Sequence, residues 1–403
     1  MILTILSLAT SLSTLPNYKA EILARANGGS TYNLPAYAIV NSASPSINDA
    51  GEVAFKVISA GIDQSGDRSE NSGIWLKTRK DLNGRIVYYS PKEKIVSDPK
   101  MLEGGQPLFT QFDEVSCEGL FAFNPLSQTI EHIVEAKNMT AVNYPQAMGE
   151  SSYAFRSTDP SSNRSFYEFR EDNLFEVVNE DQGYSYLFGP SVNKASQWVF
   201  KARLGEKYNY SEEAADQIVL LTPNFTALGE KSYLTTVLAK DTDADVLSPY
   251  QSFDNSPSIS KAGMVVFAAT LKNRVSTIVA VKDNVHYVVA REGENDISKI
   301  ELFSPKINDN GFVVFRGIDS KGLRSIFLAN PFSSQPEVKS ILTEGDSIMT
   351  DQGPAEILHR ENFPAFSGHV DINNKNEIVV SLVLAIDNQK WILGTSIYKL
   401  HPL

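Results

Sequence analysis

The chain is predicted to be all-β: a seven-bladed β-propeller of four-stranded antiparallel blades, closed by an N-terminal outer strand. Three observations predict this. A twelve-residue string over 44–55 (SPSINDAGEVAF) returns over 256–267 (SPSISKAGMVVF) and 304–315 (SPKINDNGFVVF), with looser copies over 145–155, 190–200 and 370–380. In five of these six copies the proline and the closing phenylalanine stand ten positions apart: 45/55, 145/155, 190/200, 257/267 and 305/315. Two further strand-like segments follow each copy, so the unit holds four strands. Finally, the chain opens on a lone segment of the fourth-strand type (18–26) and ends on a set that lacks one, over 371–383 and 391–400. Ring closure satisfies both ends, because a radial array then leaves no long sheet edge open.

Within the unit, the proline suits the first residue of a strand, having a fixed backbone angle and no donor. A short strand passes through Ile47. Asn48-Asp49-Ala50-Gly51 then forms a tight turn, with Asn bonding back to the backbone and Gly supplying a left-handed residue. The second strand is rich in strand formers, and Phe312–Phe315 and Met264–Phe267 are apolar at every position, so both faces are expected to be buried. Ser196 and Ser151 replace the turn glycine in two copies, where looser turns are expected. Third strands are Gly73-Ile74-Trp75-Leu76, Ile218 to Leu221, Ile278 to Val281 and Ser325 to Ala329; fourth strands include Val285 to Ala290 and Val338 to Thr343. The interval from Pro45 to Pro145 is about twice the others, so a degenerate repeat is placed over 107–134. That makes seven blades, with six or eight as alternatives because this second blade is short.

These units resemble exported bacterial proteins with tandem Asn-x-x-Gly-x-Val-Ala-Phe repeats. In plan they are similar to NHL and WD40-like propellers, where an Asp-x-x-Gly turn joins the inner strands. The likeness rests on the repeated turns, on the Gly-Ile-Trp-Leu and Ser-Ile-Phe-Leu strands, and on Glu344-Gly345-Asp346 after a fourth strand. It implies the propeller and no particular activity, since such scaffolds host many functions.

Residues 1–15 are expected to be a signal peptide, with apolar residues 1–14 too short to span a bilayer, and 16–403 a single propeller domain. A hydrophobic N-terminal strand is the alternative. The protein is accordingly expected to be exported, to the periplasm, the outer surface or the medium. A formal net charge of −12 argues against nucleic acid and anionic membrane as partners. The single cysteine, Cys117, excludes an internal disulfide framework and is expected to be buried. No metal, cofactor or nucleophile signature is present: the five histidines form no pair at ligand spacing, and phosphate-loop, dinucleotide and Gly-x-Ser-x-Gly fingerprints do not occur. Asp241-Thr242-Asp243-Ala244-Asp245 is spaced like a calcium loop but lacks its glycine and its bidentate glutamate. Asp63, Asp319 and Asp387 recur after second strands and suit turns. Asn138, Asn163, Asn209 and Asn224 open glycosylation-type triplets, which are frequent by chance.

What remains is loop length. Three long links between blades carry aromatic and basic residues: Tyr32 and Tyr37, Tyr250 and Phe253, and His359, Arg360 and Phe363. Long loops on a rigid scaffold are where binding tends to reside, so these seven residues are the candidate ligand or partner surface. The alternative is that they clamp the loops onto the blades. The first and last of these loops flank the closing blade, so a functional role predicts one patch. The chain is thus expected to be a monomeric binding scaffold for a protein or carbohydrate partner at the cell envelope. The alternative is a hydrolase or lyase acting on glycans or envelope polymers through carboxylates in the central funnel.

Overall fold

A computed structural model describes residues 15–26, 32–34, 38–40, 44–62, 68–91, 94–113, 116–149, 152–207, 214–225, 231–334 and 336–403. Among these there is no α-helix, and the strands form seven antiparallel sheets. Blade 1 runs outward through Ala38–Ile39 and Ser46–Ile47, Val53–Ile62, Arg68–Lys77 and Arg85–Tyr89. Blades 2 to 6 follow the same plan over 95–135, 141–179, 184–240, 250–291 and 297–343. Blade 7 is built on Phe366–Ile372, Ile378–Ile386 and Trp391–Pro402, and the hairpin of Ser347–Thr350 and Gly353–Ile357 extends it. Its outer strand is Tyr18–Arg25, antiparallel to Trp391–Pro402 from Tyr18↔Pro402 to Arg25↔Ser396. The expected closure is therefore present.

The alternation of the second strand builds the ring. Val53 and Phe55 pack with Val379 and Ile397 of blade 7, whereas Ala54 packs with Phe109 and Phe123 of blade 2. The pattern repeats: Phe155, Phe200, Phe267 and Phe315 each join a cluster with the preceding blade. Seven such clusters, one at each seam, make a continuous annular core. The degenerate second blade turns out to be regular. Its inner strand is Lys100–Met101, not a segment beginning at Pro107, which instead pairs with Met101 as the start of the second strand. Pro99 and the buried Phe109 keep the same ten-residue spacing as the other copies.

The turns carry positive φ as expected, at 82° for Gly51, 87° for Gly263 and 80° for Gly311. Ser196 departs from expectation. It holds φ at 58° and closes its turn as tightly as glycine does, its N–H reaching Asn193 O at 3.0 Å against 2.9 Å for Gly51 to Asn48. The other serine of this kind, Ser151, lies outside the described residues. Cys117 is buried.

Candidate functional site

The seven inner strands surround an axial channel of about 620 Å³. Side chains alternate along a strand, so the residues just before and just after each repeat proline share its channel face. They form two tiers. The outer tier, toward the interblade loops, is Ser44, Asp98, Tyr144, Gly189, Ser256, Ser304 and His369; the middle tier is Ser46, Lys100, Gln146, Ser191, Ser258, Lys306 and Asp371. A third tier stands at the turns, with Asp49, Glu103, Lys194, Lys261 and Asn374 among its members.

The turn tier is a woven ring. Asp49 N donates to Glu103 Oε2 at 3.2 Å, Asn374 N to Asp49 Oδ1 at 2.9 Å, Asp309 N to Asn374 Oδ1 at 2.8 Å, and Ala262 N to Asp309 Oδ1 at 2.7 Å. Lys261 of blade 5 reaches across to Asp49 of blade 1 and Glu103 of blade 2. These blades are not neighbours in the ring, so the lysine crosses the turn end of the channel. Burial alone would raise the Asp49 pKa, but Lys261 and the Asn374 donors hold it below the usual range.

In the middle tier, charge is confined to one arc. Lys100, Ser46, Asp371 and Lys306 come from blades 2, 1, 7 and 6, while the opposite arc is Gln146, Ser191 and Ser258. Asp371 Oδ2 accepts from Ser46 Oγ at 3.0 Å, Ile47 N at 3.3 Å and Lys100 Nζ at 3.1 Å, and Oδ1 accepts from Ile372 N at 3.1 Å. Burial opposes its ionisation, yet Lys100 and Lys306 pull its pKa below normal. Lys306 is half-buried, with part of its surface open to the channel. Burial and the charge of Lys100 push its pKa down to about 8, with Asp371 offsetting only in part. Above it, burial, then Lys306 and Arg316, push His369 to about 4, so its ring is neutral at neutral pH. His369 Nδ1 is buried without a hydrogen-bond partner, and its ring meets Phe303 edge-on at 5.5 Å. Burial raises the pKa of Asp98, only partly countered by Lys56 at 3.7 Å. Tyr144 is half-exposed at the rim with φ at 55°, an uncommon conformation for a bulky residue.

The sequence-derived surface is divided by the structure. Tyr250 and Phe253 are buried against Phe267 at ring distances of 5.8 and 5.6 Å, and the Tyr250 hydroxyl meets His286 Nδ1 at 2.7 Å. Tyr32 is buried in the seam between blades 7 and 1, where its carbonyl accepts from Trp75 Nε1 at 3.0 Å. These three aromatics hold loops onto blades, the alternative that the sequence left open. Tyr37 lies outside the described residues, as does Asp63. Only His359, Arg360 and Phe363 stand together toward solvent. His359 Nδ1 faces Glu344 Oε2 at 3.1 Å, Arg360 donates to the carbonyls of Gln389 and Lys390, and Phe363 is 43% exposed. The expected patch across two loops is reduced to one loop among the described residues. Asp319 caps its own turn through Lys321 N and Leu323 N, and Asp387 is exposed in a turn. Asp241 directs its oxygens at the backbone N–H groups of Asp243, Ala244 and Asp216, which accounts for it without calcium.

The channel residues do not stand out in the sequence, because each position of the repeat has a structural reason to be there. A signal is there: serine is the commonest residue in the two columns flanking the proline, at six of fourteen positions, and Asp98, Tyr144, Gly189, His369, Lys100, Gln146, Lys306 and Asp371 depart from it.

Fold and channel together define a seven-bladed β-propeller with a charged axial channel. The chain belongs to DUF7453, a family of unknown function, whose profile matches residues 19–378. No curated protein matches it. Among solved structures it is similar to an oligogalacturonate lyase from Vibrio parahaemolyticus, with 9% identity, a TM-score of 0.52, and 96% of this chain and 97% of that one covered. It is also similar to prolyl oligopeptidase B from Galerina marginata (10% identity, TM-score 0.51, 88% and 51% covered). A third likeness is to an acylaminoacyl peptidase from Pyrococcus horikoshii (12%, 0.50, 88% and 52%). The chain spans about half the length of each peptidase. At these identities the likeness concerns the fold alone.

Proposed function

We propose that this protein is a binding propeller whose ligand sits in the axial channel, rather than an enzyme that cleaves it. The observation that carries this reading is the state of the channel carboxylates. Asp371 accepts four hydrogen bonds, and Asp49 and Glu103 are tied to Lys261. Paired acid and base catalysis needs one carboxyl kept protonated opposite a second left free. Asp98, with its raised pKa, is the feature that favours the enzymatic alternative. Export to the cell envelope belongs to the proposal as well, on the apolar composition of residues 1–14; cell fractionation tests it.

The central experiment is a thermal-shift screen of soluble glycans and small metabolites on the wild type and on Ser258→Trp, whose indole would fill the middle tier. Compounds that raise the melting temperature of the wild type should leave that of the variant unmoved, and mass spectrometry should recover them intact. Equal stabilisation of the blocked variant would refute the channel as the site. Recovery of cleaved products would establish the enzyme instead.

A further inference from the structure

We propose that the middle tier of the channel recognises a small hydroxylated carboxylate, an acidic sugar in size and chemistry, with its carboxylate at Lys306 and Lys100 and its hydroxyls on Ser191, Ser258 and Gln146. The inference rests on the channel being the ligand site and adds what the ligand must be.

Three features lead to it. First, Lys306 lacks an acceptor. No hydrogen bond or ion pair reaches its ammonium among the described residues, and Asp371, the nearby carboxylate, already accepts from Ser46, Ile47, Lys100 and Ile372. A partly buried ammonium without a partner is costly, and an incoming anion would relieve that cost. Second, the charge count selects the anion. Lys100 and Lys306 against Asp371 leave one positive charge, while neutral His369 adds none. One surplus charge matches a carboxylate better than a phosphate dianion. The site also uses lysines as point charges, without the guanidinium fork that suits phosphate. Third, the rest of the tier is two hydroxyls and an amide, which suit the hydroxyl groups of a sugar. The protein as a whole carries a net charge of −12, and the channel's four lysines are matched by four carboxylates, so the middle tier is a local positive focus within an acidic molecule.

The test is isothermal titration of the full chain with D-glucuronate, D-glucose and inorganic phosphate, repeated on Lys306→Met and Lys100→Met after circular dichroism confirms that each is folded. Glucuronate should bind the wild type, and glucose and phosphate should each bind at least about tenfold more weakly, a difference of about 1.4 kcal/mol. Lys306→Met should weaken glucuronate by a similar factor and leave glucose unchanged. Lys100→Met also frees a carboxylate of Asp371, so it should weaken glucuronate further still. Glucose binding as well as glucuronate would overturn the inference while leaving the channel as the ligand site. Tighter binding of phosphate, no binding of glucuronate, or equal affinity in Lys306→Met would each overturn it too. Failure of the underlying reading is separate, and shows as ligand stabilisation that survives Ser258→Trp.

Discussion

Asn373 shows how one side chain can serve both a turn and a seam. Its Oδ1 accepts from Lys375 N at 3.0 Å and Glu377 N at 2.9 Å, closing the turn, while Nδ2 donates to Asn48 O of the next blade at 2.9 Å. Asn308 repeats this toward Asn373 O at 2.9 Å, Asn48 toward Leu102 O at 2.9 Å, and Asn193 toward Ser260 O at 3.1 Å. Asn373→Ala should therefore lower unfolding free energy by roughly 2–4 kcal/mol, because it strands buried partners as well as losing bonds. Asn373→Asp keeps the turn acceptor and loses the strap, so urea denaturation should place it clearly below the wild type. Wild-type stability in the Asp variant would show that the strap contributes nothing. Lys306 gives a prediction in pH. Its folded pKa of about 8 lies below its ordinary 10.5, so between those values the unfolded chain binds the proton that the folded one has released. Stability from this group rises with pH across that window. Lys306→Met should be more stable than the wild type at pH 7 by roughly 1–3 kcal/mol, allowing for screening by channel water, and the gap should close between pH 8 and 10.5. A gap that stays constant with pH would contradict the strained ammonium.

At the scale of elements, the closing strand matters most. Tyr18–Arg25 supplies Leu23 and Ala24 to the seam with blade 1, and Arg25, almost wholly buried, grips Asp351 with Nε and a terminal nitrogen, both at 2.9 Å. Deleting residues through Ala26 should expose the edge of Trp391–Pro402 and the last seam, giving an aggregating or unfolded product. A truncated protein that melts like the parent would rule out that role. The inner turns offer a finer probe. A Cβ on Gly51 would stand 2.8 Å from Glu377 Oε2 at a φ of 82°, so Gly51→Val should cost roughly 1–3 kcal/mol. Ser196→Gly relieves a left-handed serine and should be neutral or slightly stabilising in the same assay. The reverse order of the two would refute the turn argument.

At the scale of the whole molecule, the turn tier links blades 5, 6, 7, 1 and 2 at one end of the axis, and Lys261 is its cross-brace. Lys261→Ala leaves Asp49 and Glu103 close together with no cation between them. The folded pKa of Asp49 is lowered, so its contribution to stability is present above its ordinary value of 3.8 and lost as pH falls through the folded value. The variant should thus melt below the wild type at pH 7, by an amount equivalent to about 1 kcal/mol for so exposed a pair, and the deficit should close below pH 4. A deficit unchanged by acid would mean that Lys261 acts through packing.

The fold was legible in the sequence because a blade is a local object. Its strand alternation, its turn glycine and its ten-residue spacing lie within one repeat, and a period needs no knowledge of what lies across the axis. Even Pro99 and Phe109 carry that spacing, with Gly105 in the turn-glycine position, but Leu102 in place of the turn asparagine and Pro107 in place of Val53 disguise the repeat between them. The lone strand at the start likewise announced closure. The site was a different matter. Whether an aromatic in a long loop faces solvent or a seam depends on the neighbouring blade, and Tyr250, Phe253 and Tyr32 have the same composition in either role. Nor does anything local place Lys100, Lys306 and Asp371 together, since they lie in blades 2, 6 and 7 and meet only when the ring closes. Burial and charge coupling across an axis are properties of the assembled circle, which is why only the tertiary structure could turn departures from a repeat into a channel.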